Sequence, residues 1–131
     1  MKKFISLPLC FLLLIINNTV FAVGNEYFHD VGTAYNLCAD KQIELYFDES
    51  INADSAALNI FSSQDACGNE KRIDISIKTE GRKVTVSPNG GWPEGETYIF
   101  VQEDICDING NRLNKNLRYT LNVRRLATYD K

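Results

Sequence analysis

Apolar and polar side chains alternate with a period of two along most of this chain, and that pattern restricts it to β structure. Ile43, Leu45 and Phe47 alternate with Gln42, Glu44 and Tyr46. Ile73, Ile75 and Ile77 alternate with Arg72, Asp74, Ser76 and Lys78, and Val84 and Val86 flank Thr85. Leu117, Tyr119, Leu121 and Val123 alternate with Arg118, Thr120 and Asn122. Successive side chains of a strand point to opposite sides of its sheet, so each run offers one face to a core and one to water. Tyr98 to Val101 is apolar on both faces, which predicts a central strand. Leu58 to Phe61 is a weaker strand. Helical periodicity is absent from most of the chain. Asp54 to Ala57 predicts a single helical turn with Asp54 as its N-cap.

The separators support the same reading. Glu80-Gly81 makes a tight hairpin, because Gly accepts positive φ without a Cβ clash. Pro88-Asn89-Gly90-Gly91 ends one strand, and Asp107 to Asn111 turns the chain before the last. About seven short strands so punctuated predict an all-β Greek-key sandwich. Between its fifth and sixth strands the chain must cross from one sheet to the other. Trp92 is placed to cap the core there, Pro93 to fix φ, and Gly95 to permit the bend. Tyr98 then stands where a tyrosine corner would bond its hydroxyl back to the crossing backbone.

The N-terminus reads as a secretory signal peptide: the basic Met1-Lys2-Lys3, the apolar stretch Phe4 to Ile16, and Val20-Phe21-Ala22 at the cut. The apolar stretch is shorter than the roughly 20 residues that span a bilayer. Cys10 follows the bulky Leu9, where a lipoprotein signal needs a small residue, so it leaves with the signal. Cleavage after Ala22 leaves Val23 to Lys131, 109 of the 131 residues, enough for one domain with a core. Losing Lys2 and Lys3 from the 14 basic residues leaves 12 against 17 acidic ones, a net charge of −5. Such an acidic domain argues against nucleic acid as a partner, which calls for a basic stripe. No membrane span remains after cleavage, and the expected address is periplasmic or secreted.

Four segments carry a family resemblance: Lys41 to Ile51, Val84 to Pro88, Gly95 to Val101 and Ile105 to Leu113. The most specific elements are Gly95-x-Thr97-Tyr98 and Asp107-x-x-Gly110-Asn111-x-Leu113. In order and spacing these resemble the bacterial Ig-like domain of the SbsA type, across about Cys38 to Val123. The resemblance implies an immunoglobulin-like fold and a surface or periplasmic setting, and no catalytic residue. The chain departs from the family pattern at Val31 to Cys38, where a Pro-rich entry is usual, and in its cysteines.

Three cysteines remain after cleavage, and an exported chain meets an oxidising compartment. In the usual seven-strand order, the segment before the second strand and the connection from third to fourth lie at one end of the sandwich. That predicts a Cys38–Cys67 disulfide, closing a loop of about 30 residues and contributing roughly 3 to 4 kcal/mol. Cys106 lies at the other end, either as a free thiol or as an intermolecular disulfide joining a dimer.

Other constellations lack the chemistry they suggest. Counting back from Gly110 through Asn109 and Asp107 reaches Ile105, where an EF-hand needs an oxygen ligand, so Asp104 to Asn111 reads as a turn and no metal is expected there. His29 is the one histidine and has no fixed partner for a zinc site or a triad. Copper binding through it lacks a second His or a Met cluster. The sequence has no Gly-x-Ser-x-Gly, no Cys-His pair and no phosphate loop, and it implies no cofactor. The expected function is that of an exported, non-enzymatic Ig-like protein working by contact with another envelope or surface protein. The alternative is a small-ligand or carbohydrate-binding module using Tyr46 and Trp92, and a third reading is a periplasmic copper carrier. Intact-mass analysis and N-terminal sequencing of the exported protein should give a chain beginning at Val23. A chain that retains Met1 to Ala22 would remove the export argument.

Overall fold

The computed structural model describes residues 20–23 and 26–124, with side chains from Phe28 onward. The expected signal peptide therefore lies outside the described residues, apart from its last three positions, which belong to the first strand. Among the described residues nine strands and one helix follow in order: β1 Val20–Val23, β2 Glu26–Leu37, β3 Ile43–Tyr46, α1 Ala53–Asn59, β4 Ile60–Ser63, β5 Arg72–Ile73, β6 Ile75–Glu80, β7 Lys83–Pro88, β8 Gly95–Val101 and β9 Leu117–Val123. They form two sheets, one ordered β1-β2-β9-β8-β4-β5 and the other β3-β7-β6. All pairings are antiparallel except β2 with β9. The architecture is the all-β sandwich that the alternation predicts, and it is immunoglobulin-like, as the family resemblance implies.

The run from Arg72 to Lys78 forms two strands because it changes sheets at Asp74. β5 pairs with β4 in the larger sheet, and β6 pairs with β7 in the smaller one. The Asp74 carbonyl at the switch accepts from the Asn89 N–H. The β6–β7 hairpin closes at Gly81, whose φ of 61° suits the turn. The helix starts two residues earlier than expected. Asn52, not Asp54, is its cap and accepts from the Ser55 N–H. Asp54 sits in the first turn, where a carboxylate meets the positive end of the helix dipole.

Between the sheets lies one apolar core. β3 contributes Ile43 and Leu45, and Phe47 follows it. β7 gives Val84 and Val86, β8 gives Ile99 and Val101, and β9 gives Leu117, Leu121 and Val123. Trp92 closes one end. It is buried, its backbone N–H donates to the Ala39 carbonyl, and its indole Nε1–H donates to the Lys41 carbonyl at 2.7 Å. The sheet crossing is thereby stapled to the turn between β2 and β3. At the opposite end, Asp107 is buried and organises the turn that follows β8. Its carboxylate accepts from the Asn109 N–H, the Asn111 N–H and the Asn111 amide. Gly110, at φ 87°, donates to its carbonyl. Burial alone would raise this carboxyl, but the hydrogen bonds from Asn111, Asn109 and Gly110 outweigh it and hold it below the ordinary value of 3.8.

The folded state therefore binds less proton at Asp107 than the unfolded chain does. The stability it contributes is present above about pH 4 and is lost as pH falls through the folded value. Asp107→Asn should flatten this part of the acid-unfolding profile, measured by circular dichroism between pH 2 and 7. An unchanged slope would show that the turn amides do not favour the charged form.

Candidate functional site on the outer face of the larger sheet

The larger sheet carries structure on its outer face as well as its inner one. On β8, Thr97, Ile99 and Val101 face the core, so Glu96, Tyr98 and Phe100 point outward. The outer face begins with three phenylalanines. Phe28 meets Phe100 edge-on with centroids 4.9 Å apart, and Phe61 stacks on Phe100 at 4.8 Å. The Arg72 guanidinium lies 3.9 Å from the Phe61 ring centroid. The hairpin from β4 to β5 folds back over these rings. A Cβ at Gly68 would stand 2.9 Å from Phe61, so only glycine allows the loop this close. Asp65 holds the loop's shape by accepting from the backbone N–H groups of Cys67, Asn69 and Glu70.

Arg118 ties three elements together. It stands opposite Asp30 in the β2–β9 register and is almost fully buried. Nε and Nη2 donate to the two Asp30 carboxylate oxygens at 2.6 and 3.0 Å, and Nη1 donates to the Ala66 carbonyl at 2.7 Å. The fork geometry of guanidinium makes this bidentate pair directional as well as strong. Its Cζ also lies 5.5 Å from the Tyr98 ring centroid. Tyr98 donates its hydroxyl to Glu96. Burial, and then that bond to a carboxylate, pushes the phenol up to about 12.

Beyond the clamp the face becomes an open, polar dish of about 410 Å³. Thr120 and Asn122 of β9 form its floor, Thr33 and Tyr35 of β2 one wall, and Glu96 and Tyr98 of β8 the other. Tyr35 is 71% exposed. A second hollow, of about 650 Å³, lies where β3 ends the smaller sheet beside β2. Ala34, Leu37, Ile43 and Tyr119 line it, with Lys41 and Glu44 among the polar residues around it.

The residues singled out from sequence are scattered rather than gathered. Trp92 is core, which removes it as a binding surface, and Tyr46 lies on the smaller sheet with its hydroxyl bonded to Glu44. Tyr98 makes no tyrosine corner: strand parity turns it to the outer face, where Glu96 takes its hydroxyl. The expected Cys38–Cys67 disulfide is not made, and Cys38, Cys67 and Cys106 are free. Cys38 follows Leu37, which pairs with Val123, whereas the loop holding Cys67 is drawn toward Arg118. Those two levels of β9 are roughly 16 Å apart at the rise of a strand, and a disulfide needs Cα atoms within about 7 Å. The cause is the shortness of β4, which ends at Ser63, opposite Tyr98, so the loop folds back before it reaches the end of the sheet. Cys106 is half-buried beside α1, its N–H donating to Ser55. His29 is half-buried, and burial and Lys115 hold its imidazole below 6.5 against the opposing pull of Asp30. Among the described residues no group of three His, Cys, Asp or Glu is placed to hold a metal ion. Sequence reasoning missed Asp30, Tyr35 and the clamp role of Arg118. The polar face Arg118-Thr120-Asn122 was the signal that would have led to them.

A model of the bacterial Ig-like domain family matches residues 31–123, and the chain belongs to that family. No curated protein matches it by sequence. Its fold is similar to the N-terminal part of the bacterial S-layer protein SbsC, with a TM-score of 0.50 and 14% identity over 69% of this chain and 22% of that one. It is also similar to domains 1–6 of surface layer protein SbsC, with a TM-score of 0.50 and 15% identity over 76% of this chain and 14% of that one. CopC from Methylosinus trichosporium OB3b matches with a TM-score of 0.48 and 14% identity, over 72% and 88% of the two chains. The chain thus spans less than a quarter of the SbsC structures, and at these identities the likeness is one of fold.

Arg118→Ala would leave Asp30 and the Ala66 carbonyl without their donor. Removing one partner of a buried pair costs about 3 to 5 kcal/mol, and the partial exposure of Asp30 puts the loss near the lower end. Urea denaturation should show it, together with faster amide exchange at residues 64–71. Loss of stability with no change in that loop would separate the clamp from the hairpin.

Proposed function

We propose that this protein is an exported, non-catalytic Ig-like module, of the SbsA type, that works in the cell envelope or at the surface by binding another protein. The observation that carries the reading is the edge of β3. This strand ends the smaller sheet, and among the described residues no strand lies on its open side. Beside it runs the groove lined by Ala34, Leu37, Ile43 and Tyr119. An extended segment of a partner would pair its backbone with β3 and set alternate side chains into that groove. Lys41 and Glu44 supply opposite charges that select the partner's register. The family membership and the S-layer likeness in fold support an envelope or surface setting. Asp107 and Asp65 are engaged with backbone amides, Glu96 with Tyr98, and Asp104 with Arg112.

The test is photo-crosslinking in the native envelope. A crosslinking residue at Glu44 should give one discrete protein adduct in the exported fraction, and the same residue at Lys78, on the far edge strand β6, should give none. Equal labelling from both positions, no adduct from Glu44, or a chain confined to the cytosol would overturn the reading.

A further inference from the structure

The dish on the outer face shares no lining residue with the groove beside β3, and its chemistry is different. We infer that it is a binding surface for a neutral oligosaccharide, an activity beyond the protein contact proposed above and independent of it. The geometry is a polar strip one strand wide, Thr120 and Asn122 of β9, with an aromatic residue on each neighbouring strand. Neighbouring strands lie about 4.8 Å apart, so β2 and β8 stand roughly 10 Å from each other across β9, with Tyr98 level with Thr120 and Thr33 and with Tyr35 about two residues further along, diagonally across the strip. That gap admits the width of a pyranose ring. A sugar offers apolar C–H faces and an edge of hydroxyls, and a tyrosine offers an apolar body with a polar tip.

Hydrogen-bonding capacity points the same way. The side chains of Thr33, Thr120 and Asn122 have no hydrogen-bond partner among the described residues, unlike Asp65 and Asp107 with their amides. Hydroxyls and amides both donate and accept, which matches sugar hydroxyls that do the same. One Glu96 oxygen takes the Tyr98 hydroxyl, and the carboxylate keeps further acceptor capacity for a second hydroxyl.

Charge excludes the main competitors. Arg118 and Asp30 also line the dish, but the guanidinium is already paired with Asp30 and Ala66, so a phosphate or carboxylate ligand would meet the Glu96 and Asp30 carboxylates against one cation that is already engaged. The dish is also open, which suits a chain lying across the sheet better than a small enclosed ligand. Its volume of about 410 Å³ falls within the usual range for ligand sites.

The experiment is an amide NMR titration of the ¹⁵N-labelled mature protein with four soluble probes: chitotetraose, cellotetraose, maltotetraose and mannotetraose. At least one should shift the amides of Tyr35, Tyr98, Thr120 and Asn122 saturably at millimolar concentration, leaving Tyr46 and Lys78 unmoved. Tyr35→Ala and Asn122→Ala should each weaken that probe about tenfold, and Tyr46→Ala should leave its affinity unchanged. Both positions are on the surface, and an unchanged Tm would show that the fold persists. If Tyr35→Ala lowers Tm, Thr120→Val serves as the second variant. No saturable shift with any of the four probes, shifts centred outside the dish, or full affinity in the variants would overturn the proposal. A salt-sensitive response to oligolysine with none to the sugars would overturn it too, and would assign the face to a basic peptide.

Discussion

Arg118 holds the outer face of this sandwich together, because its three hydrogen-bonding nitrogens tie β9 to two other segments of chain. The pair with Asp30 fixes β2 in register against β9 in the one parallel pairing among the described residues. The bond to Ala66 brings the β4–β5 hairpin down onto Phe61 and Phe100. A buried guanidinium is costly unless its donors are all engaged, so the charge enforces this arrangement rather than merely decorating it. The dish exists because the clamp stops where it does. Below Arg118 the hairpin covers the sheet, and beyond it the polar residues of β9 stay open.

The two ends of the sandwich are closed by different means. At one end Trp92 uses both its backbone and its indole N–H to bind the β2–β3 turn. At the other end Asp107 gathers the amides of its own turn. Both solve the same problem, which is to leave no backbone polar group unsatisfied where strands stop and the chain reverses. With the ends fixed in this way, the exposed differences between this domain and any other sandwich reside in its edges and its outer faces. The β3 edge and the β9 strip both have unspent hydrogen-bonding capacity, the first in its backbone and the second in its side chains.

The strands were legible because alternation is a local property. Ile43 to Phe47, Val84 to Val86 and Leu117 to Val123 each announced which residues would face the core, and they do. Tyr98 to Val101 was read as central, and β8 does lie between β4 and β9. The site was much less legible. Arg118, Thr120 and Asn122 appeared as a polar face, but nothing local said which strands would flank them. Tyr35 lies where the β2–β9 register shifts, with Asn36 beside it at φ 56°, and this irregularity breaks the period that would have assigned its face. The disulfide expectation failed for a related reason, since it assumed that β4 runs the full height of the sheet.

The sequence by itself determined the class of fold, the inward residues, and the turns at Gly81 and Gly110, because each depends on neighbours a few residues away. Tertiary structure alone decided that Asp30 would meet Arg118 across 88 residues, that Cys67 would be carried away from Cys38, and that Tyr35 and Tyr98 would stand on the two strands that flank β9. Those outcomes depend on strand order, strand length and register. These are set by closing two whole sheets over one core, and no short stretch of sequence encodes that closure.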